Sequence, residues 1–298
     1  MAVEPMRGVF PILVTPFDEA SRIDEASLRS LVDFNLDAGV HGLGVALGSE
    51  IFKLSEAERD EVTRIVVDQV NGRAPVVINT GAAGTDLAVH YSRRAENLGA
   101  DALMVMPPSF LPVTADEVCA YFRTISDAVN IPIFIQDTSN VPVSAGLAQQ
   151  IVAECRWVQY IKVESLPTVV KVADMARQAG DAMTIFGGAG GNYFIEEMRR
   201  GSQGTMPGCS QPQSFVKVWD YFQAGDEEAA RIVFEREIVP VNRLAGISFA
   251  AFYHVHKEIL RHHGVIYTAK VRDPGSPLDE VTRRELQYVI DRVIDDRV

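Results

Sequence analysis

The sequence predicts an α/β fold, a (β/α)8 TIM barrel followed by a C-terminal extension of three helices. Three observations support this prediction. Eight short apolar segments recur between residues 8 and 224, and a longer amphipathic segment follows each of them. Mostly apolar strands that alternate with helices are typical of a parallel sheet covered by helices, and eight such units close a barrel. After residue 224 the pattern is helical throughout.

The predicted strands are apolar runs bounded by glycine, proline or polar residues. They are Gly8–Val14, Leu43–Leu47, Pro75–Asn79, Ala102–Met106, Pro132–Gln136, Trp157–Lys162, Met183–Phe186 and Gly204–Pro207. The helices between them are Asp24–Ala38, Thr85–Leu98 and Thr114–Val129, with others that begin at Ser55, Ser144, Leu166, Tyr193 and Gln211. Asp24 is predicted to be an N-cap, and Ser55 with Glu58 to form a capping box.

The chain divides into a catalytic barrel, residues 1–224, and a helical extension, residues 225–298. The extension is predicted to contain helices Asp226–Leu244, Ser248–His263 and Leu278–Asp295. No flexible linker separates the two parts, so we expect the extension to pack on the barrel rather than to form a free domain.

The composition is that of an ordinary globular protein, with 47% hydrophobic and 23% charged residues. The net charge of -12 argues against nucleic acid or an anionic membrane as the main partner. The three cysteines are far apart and form neither a disulfide framework nor a Cys-x-x-Cys metal site, which indicates a reducing environment. No signal-peptide core or membrane-spanning run is recognisable. We therefore expect a soluble, cytoplasmic protein.

Lys162 ends the sixth predicted strand, directly before a new helical pattern. A lysine amine behind an apolar strand loses hydration, which favours the neutral form that attacks a ketone to give a Schiff base. The alternative is a solvated charge at a strand end. Because the active site of a barrel lies at the carboxyl ends of its strands, the fold favours the catalytic role. The other lysines are expected in solvated helical or loop positions: Lys53, Lys171, Lys217, Lys257 and Lys270.

Five stretches occur in an order that is known from one enzyme family. They are Gly8–Phe17, Gly48-Ser49-Glu50, Gly99–Ala102, Ile161-Lys162 and Gly187-Gly188. In this order they resemble the dihydrodipicolinate synthase/N-acetylneuraminate lyase family of Schiff-base aldolases and dehydratases. The resemblance covers the barrel and the C-terminal helices. It implies that Lys162 is the Schiff-base lysine, that no separate cofactor is needed, and that the protein is a homotetramer acting on a small 2-oxo acid.

The sequence also departs from the family pattern. The best-known members carry Gly-Thr-Thr-Gly-Glu or Gly-Ser-Thr-Gly-Glu after strand two, where this chain has Ala46-Leu47-Gly48-Ser49-Glu50. Gln136 stands where a tyrosine ends strand five and relays protons, and Pro108-Ser109 replaces a tyrosine pair after strand four. No arginine follows strand five to hold a dicarboxylate. A lysine-biosynthetic synthase is therefore not expected.

The pattern Ser49-Glu50, Gln136-Asp137, Lys162-Val163-Glu164 and Gly204–Gly208 resembles the branch that dehydrates 2-keto-3-deoxy sugar acids, such as 2-keto-3-deoxy-L-arabonate. Dehydration needs a base that removes a proton from C3 and an acid that assists departure of the C4 hydroxyl. Glu164 lies two residues beyond Lys162 on an extended segment, so it points to the same side and can reach C3. A counter-charge for Lys162 is the alternative role.

The carboxyl ends of the predicted strands together form the mouth of the barrel. The remaining candidate residues there each have two interpretations. Gly48-Ser49 can offer backbone N–H groups and a hydroxyl to the substrate carboxylate, with Ser49 also a catalytic candidate, or can shape and cap the loop. Gln136-Asp137 can bind substrate hydroxyls or can end the strand. Gly187-Gly188 can accept a carboxylate before a helix or can form a plain turn. Glu50 is expected to be buried and structural.

The histidines of the predicted C-terminal helices do not indicate a metal centre. They have no acidic or cysteine partners at the mouth, so we expect surface or interface positions for them. They are His254, His256, His262 and His263. No glycine-rich nucleotide-binding loop follows a strand either.

The sequence therefore predicts a Schiff-base lyase, with a dehydratase of a 2-keto-3-deoxy sugar acid as the first hypothesis. A pyruvate-dependent aldolase of altered specificity is the second. A non-catalytic regulatory module that binds 2-oxo acids is the third, because a barrel can be kept while its chemistry is lost.

Overall fold

The structure is a computed structural model that describes residues 5–294. Its eight parallel strands are β1 (Gly8–Val9), β2 (Leu43–Val45), β3 (Val76–Asn79), β4 (Ala102–Val105), β5 (Ile133–Asp137), β6 (Val158–Val163), β7 (Thr184–Gly187) and β8 (Gly204–Thr205). The helices of the barrel are α1 (Glu25–Asp37), α2 (Glu56–Val70), α3 (Thr85–Asn97), α4 (Ala115–Ala128), α5 (Ala145–Glu154), α6 (Thr168–Ala179), α7 (Phe194–Met198) and α8 (Pro212–Gln223). The C-terminal helices are α9 (Glu227–Val233), α10 (Val239–Ala245), α11 (Phe249–His262) and α12 (Glu280–Val289).

The sheet closes on itself as a barrel. Neighbouring strands follow the order β1-β8-β7-β6-β5-β4-β3-β2, and all pairs are parallel. Ile12, just beyond β1, bridges to Gly208 on one side and to Gly44 on the other. The N–H of Leu13 donates to the Gly44 carbonyl at 2.9 Å, which joins the first and second strands. The predicted (β/α)8 barrel is thus confirmed.

The first and last strands are shorter than the sequence predicts. β1 is paired only over Gly8–Val9 instead of Gly8–Val14, and β8 only over Gly204–Thr205. Pro11 and Pro207 explain both differences, since proline has no N–H to give to a ladder.

The predicted helix starts agree with the structure. The Asp24 side chain accepts from the N–H of Ser27 at 3.1 Å and caps α1. The Ser55 hydroxyl accepts from Glu58, whose carboxylate binds the N–H of Ser55 in return, as the capping box predicts. Such caps stabilise a helix by about 1 kcal/mol because they satisfy N–H groups that lack partners in the first turn.

Side chains alternate along each strand and form two cores. The outward side chains pack under the helices in one large cluster. The inward side chains fill the barrel, where Phe134 stacks on Tyr160 with 4.4 Å between ring centroids and Phe186 meets both rings edge-on. Lys162 follows Tyr160 by two residues on β6 and therefore points inward, above this aromatic layer.

The C-terminal helices follow the prediction closely. α9 and α10 run together through a π-helical turn at Phe234–Ile238 and cover most of the first predicted helix. α11 corresponds to the second, and α12 lies within the third. The predicted helix end at Asp295 lies outside the described residues. Between residues 5 and 294, no helix is both long and apolar enough to cross a bilayer.

Candidate active site

A cavity of about 640 Å³ opens at the carboxyl ends of the strands. Strand ends and loops of the barrel form its floor and walls, including Gly48 after β2 and Lys162 and Glu164 at β6. Helix α11 closes one side with Phe252 and His256. The cavity is large enough for a small organic acid, and it is the place where a barrel carries its chemistry.

Lys162 and Glu164 meet inside this cavity. Only 4% of Lys162 is exposed, and its Nζ lies 3.0 Å from Oε1 of Glu164. The two side chains share one face because they are two residues apart on an extended segment, as the sequence predicts. A buried amine beside a carboxylate can pass its proton to that carboxylate, and a neutral amine is the form that attacks a ketone.

A chain of hydrogen bonds orients the carboxylate of Glu164. Gln136 on β5 donates from Nε2 to Glu164 Oε2 at 2.9 Å, and Asn79 on β3 donates to Gln136 Oε1 at 3.0 Å. The N–H of Ala189 donates to Glu164 Oε1 at 3.4 Å. Gln136 is fully buried and does not line the cavity, so its amide contacts Asn79 and Glu164 rather than a ligand. The family resemblance leads us to expect a tyrosine at position 136. This chain has the Gln136 amide there instead, and it binds the Glu164 carboxylate.

Gly187, the last residue of β7, and Gly188, which follows it, have different surroundings. A Cβ on Gly188 would lie 2.2 Å from Cγ of Glu164 and 3.0 Å from Cε of Lys162, so the paired Lys162 and Glu164 side chains need a glycine there. A Cβ on Gly187 would instead meet Glu197 in the layer between sheet and helices. Burial raises the pKa of Glu197 to about 7. Of the two, only Gly188 borders the predicted catalytic groups.

The loop after β2 brings Gly48 to the cavity and turns Ser49 away from it. The buried Ser49 hydroxyl donates to the Leu13 carbonyl and accepts from the N–H of Ala46 at 3.0 Å. Thr15 donates to the Ser49 carbonyl at 2.6 Å. Ser49 does not line the cavity. The geometry therefore favours the capping interpretation of Ser49 over a substrate-binding hydroxyl.

Asp137 is fully buried and bonded to protein groups. Lys171 Nζ lies 2.6 Å from Asp137 Oδ1, and the Ser165 hydroxyl donates to the same carboxylate. The N–H groups of Val143 and Ser165 donate to it at 2.7 and 3.1 Å. These bonds hold the segment directly after Glu164. The geometry favours a positioning role for Asp137 rather than contact with substrate hydroxyls.

Glu50 is buried and structural, as expected. It adopts a left-handed conformation (φ 56°) and forms ion pairs with Lys257 at 2.5 Å and Lys53 at 2.8 Å. The expectation that Lys257 and Lys53 are solvated was wrong. The Lys257 amine is fully buried between Glu50 and the Lys270 carbonyl, and only 5% of the Lys53 side chain is exposed. Burial lowers the pKa of Lys257 to about 8, and Glu50 opposes that shift. The pair joins the β2 loop to helix α11.

His256 was missed by the sequence reasoning, which expected it at a surface or interface. It is 2% exposed, lines the cavity, and its Nδ1 lies 2.7 Å from the Ser210 hydroxyl. Burial lowers the pKa of His256 to about 4, so the imidazole is neutral at pH 7. The spacing of Phe252 and His256, one helical turn apart with an aromatic neighbour at Tyr253, is the signal that places them on one face.

The other polar groups of the cavity are neutral. They are hydroxyls and amides, and among the described residues that line the cavity none is arginine. These neutral side chains are Thr138, Ser139, Asn140, Asn192, Asn242 and Ser248. Within residues 5–294 no group of three or more His, Cys, Asp or Glu side chains is arranged to hold a metal ion. The cavity thus offers one amine, one carboxylate and several neutral hydrogen-bonding groups.

Comparison with known proteins gives a consistent result. The chain is 30% identical over 297 residues to an L-2-keto-3-deoxyarabonate dehydratase of Azospirillum brasilense, covering 96% of this chain and 94% of the relative. It is 30% identical over 249 residues to a 4-hydroxy-tetrahydrodipicolinate synthase of Pseudomonas putida, covering 79% and 82% of the two chains. The crystal structure of a dihydrodipicolinate synthase from Rhodopseudomonas palustris superimposes with a TM-score of 0.89 at 26% identity, over 96% of this chain and 97% of the other.

The match to a family extends over nearly the whole chain. Residues 5–293 match the model of the Dihydrodipicolinate synthetase family. The resemblance noted from the ordered motifs is thereby confirmed, including its dehydratase relative. Both the barrel and the C-terminal helices lie within the matched region. The chain belongs to the dihydrodipicolinate synthetase family of lyases.

Proposed function

We propose that this protein forms a Schiff base between Lys162 and a small 2-oxo acid, and that it dehydrates a 2-keto-3-deoxy sugar acid of the 2-keto-3-deoxy-L-arabonate type. One observation carries the proposal. The carboxylate of Glu164 lies 3.0 Å from the amine of Lys162, and Gln136 orients it where the synthases of the family have a tyrosine.

Lys162 provides the covalent step. Its amine attacks C2 of the 2-oxo acid, and the carbonyl oxygen leaves as water when the iminium forms. Before the attack the ammonium gives one proton to Glu164, and the addition product then moves a second proton from its nitrogen to the former carbonyl oxygen. Glu164 returns the first proton to that oxygen, so the oxygen leaves as water and the iminium nitrogen keeps one hydrogen. Both transfers by Glu164 suit a carboxylate within hydrogen-bonding distance of the nitrogen.

Glu164 then acts on C3. The iminium withdraws electrons from C2 and makes the C3 protons acidic. C3 is one bond from C2, which is bonded to Nζ, so it lies within reach of the carboxylate beside that nitrogen. Removal of the proton gives an enamine, and the C4 hydroxyl leaves as water when it receives a proton from the Glu164 carboxylic acid. Hydrolysis of the conjugated iminium releases Lys162 and a dehydrated 2-oxo acid, which tautomerises to the semialdehyde.

The composition of the cavity supports a polyhydroxylated monocarboxylate. Neutral hydroxyl and amide groups such as Thr138, Ser139 and Asn140 suit sugar hydroxyls. A second carboxylate would have no arginine among the described lining residues. The dehydratase relative and the departures from the synthase motifs point in the same direction.

We further infer that the protein is a homo-oligomer, with a tetramer as the first expectation. Apolar side chains are exposed in the segment after β4, where Phe110 is 83% and Leu111 68% exposed. Exposed apolar residues that lie together on a surface are typical of a protein–protein interface. Light scattering on the purified protein tests this; a monomer at micromolar concentration contradicts it.

Product analysis tests the proposed reaction. The protein is incubated with 2-keto-3-deoxy-L-arabonate, and the products are identified by NMR. We expect the 2-oxo semialdehyde, and no turnover by Lys162→Gln. Pyruvate together with an aldehyde would show the aldolase reaction instead. Ligand-induced melting shifts without turnover across a panel of 2-oxo acids would support the non-catalytic module.

A further inference from the structure

His256 comes from the C-terminal helix α11 and faces the same cavity as Lys162. Two neighbours fix its ring. The Ser210 hydroxyl lies 2.7 Å from Nδ1, and the Phe252 ring packs edge-on with 4.5 Å between centroids. Because Nδ1 is engaged by Ser210, Nε2 is the nitrogen that can bind a ligand.

The surrounding glycines show which side of the mouth His256 occupies. A Cβ on Gly208, after β8, would lie 2.2 Å from Nε2, so only glycine allows the ring so close. A Cβ on Gly48, after β2, would lie 3.0 Å from both Ile12 and the Phe252 ring. Ile12 also bridges Gly208. His256 therefore lies on the side formed by β8, β1 and β2, and β2 is four strands from β6 in the eight-stranded barrel.

The proposed chemistry orients the substrate across the barrel. C2 is attached to Lys162, and C3 has to face Glu164, which is held from β5 by Gln136 and from the β7 loop by Ala189. The third substituent of C2 is the carboxylate. Since C3 occupies the side of β5 and β7, the carboxylate points toward the opposite side, where His256 lies.

Few side-chain donors are free on that side. The Ser49 hydroxyl donates to the Leu13 carbonyl, and the Tyr253 hydroxyl donates to the Leu47 carbonyl at 2.9 Å. We propose that His256 is a further substrate-binding residue, whose Nε2–H donates to the carboxylate of the 2-oxo acid. This inference rests on the proposed function in one respect, the identification of the ligand as a 2-oxo acid.

The protonation of the ring agrees with this role. A neutral imidazole carries one N–H, and burial keeps His256 neutral at pH 7 by lowering its pKa to about 4. When Ser210 donates to Nδ1, the single proton is on Nε2 and faces the ligand. The charge of the carboxylate is then balanced by the Lys162 iminium, while His256 contributes a directed hydrogen bond.

Binding without the covalent bond tests this inference separately from catalysis. Pyruvate and its uncharged analogue pyruvamide are titrated by ligand-observed NMR into Lys162→Gln, alone and combined with His256→Phe or His256→Gln. A hydrogen bond to a charged group is worth about 1.5–3 kcal/mol, so His256→Phe should weaken pyruvate binding about 10- to 100-fold. Pyruvamide binding should change less than about 3-fold. His256→Gln keeps a donor near Nε2 and should retain most of the affinity.

Ser210→Ala provides a second variant that leaves the imidazole in place. Without a partner for Nδ1 the ring loses its fixed tautomer, and we expect pyruvate binding about 3- to 10-fold weaker. The inference is overturned if His256→Phe weakens both ligands equally, if it leaves pyruvate binding unchanged, or if Lys162→Gln does not bind pyruvate. The two proposals can fail separately. If the native protein forms no adduct at Lys162 but binds pyruvate selectively through His256, the proposed function is refuted and this inference is supported.

Discussion

Replacing Glu164 by glutamine separates proton abstraction at C3 from formation of the Schiff base. In the native site three donors converge on the carboxylate: Lys162 Nζ at 3.0 Å, Gln136 Nε2 at 2.9 Å and the Ala189 N–H at 3.4 Å. An amide of the same shape has one accepting oxygen and no basic group. It fills the space but cannot take a proton from carbon.

The expected effect follows from the role of a general base, which typically contributes about 10²- to 10⁴-fold to a rate. Exchange of the pyruvate methyl protons with D2O, followed by 1H NMR, reports the C3 step alone. We expect Glu164→Gln to slow this exchange about 10²- to 10⁴-fold, because removal of a proton from carbon needs a positioned base. Borohydride trapping of pyruvate on Lys162 should fall less than about 10-fold, because water in the open cavity can replace Glu164 in moving protons between nitrogen and oxygen.

A matched control is Glu235→Gln, the same chemical change on a side chain that is 64% exposed in a surface ion pair. It should leave both rates unchanged. The reasoning is refuted if Glu164→Gln exchanges protons at the native rate. It is also refuted if trapping falls as far as exchange does, since Glu164 would then act only as a partner of Lys162.

Three further changes test other parts of the structure. Gly188→Ala places a Cβ 2.2 Å from Cγ of Glu164 and should lower kcat about 100-fold, because a displacement near 1 Å at a catalytic group has that effect. Lys257→Met leaves the buried carboxylate of Glu50 without its closest cation, and urea unfolding should show a loss of about 3 kcal/mol. Glu197→Gln should change how stability depends on pH. The folded state raises the pKa of Glu197 from 4.5 to about 7, so the free energy of unfolding falls as pH rises through that range and then levels. Glutamine does not titrate, so the variant lacks this loss. The difference in free energy of unfolding, variant minus native, should therefore rise by about 3 kcal/mol between pH 4.5 and pH 8.

Each of these has an outcome that contradicts it. Unchanged kcat in Gly188→Ala would show that Glu164 has room to move. Native stability of Lys257→Met would mean that Lys53 alone compensates Glu50, which it contacts at 2.8 Å. If stability depended on pH identically in Glu197→Gln and the native protein, the pKa of Glu197 would be the same in the folded and unfolded states.

The parts of the structure that depend on local pattern were predictable from the sequence. Eight alternations of apolar and amphipathic segments predict the barrel, and the alternation of side chains along β6 places Lys162 and Glu164 on one face. The resemblance added the covalent role of Lys162. The strand ends were less predictable, because a single proline shortens the ladder of β1 or β8.

The parts that depend on tertiary contact were not predictable. Nothing in the order of residues shows that the Ser49 hydroxyl turns to the Leu13 carbonyl, or that Lys257 crosses from α11 to meet Glu50. The role of His256 depends on the same packing, since α11 must lie over the mouth before its side chains can reach the cavity. Sequence spacing places such residues on a helix face but does not say what that face covers.

Formation of the covalent intermediate on Lys162 is the central claim, and borohydride reduction tests it most directly. The protein is reduced in the presence of pyruvate, digested and examined by mass spectrometry. We expect the reduced pyruvate adduct on the peptide that contains Lys162, and no adduct in Lys162→Gln. An unmodified Lys162 peptide, under conditions that label a known Schiff-base aldolase in parallel, would contradict the account.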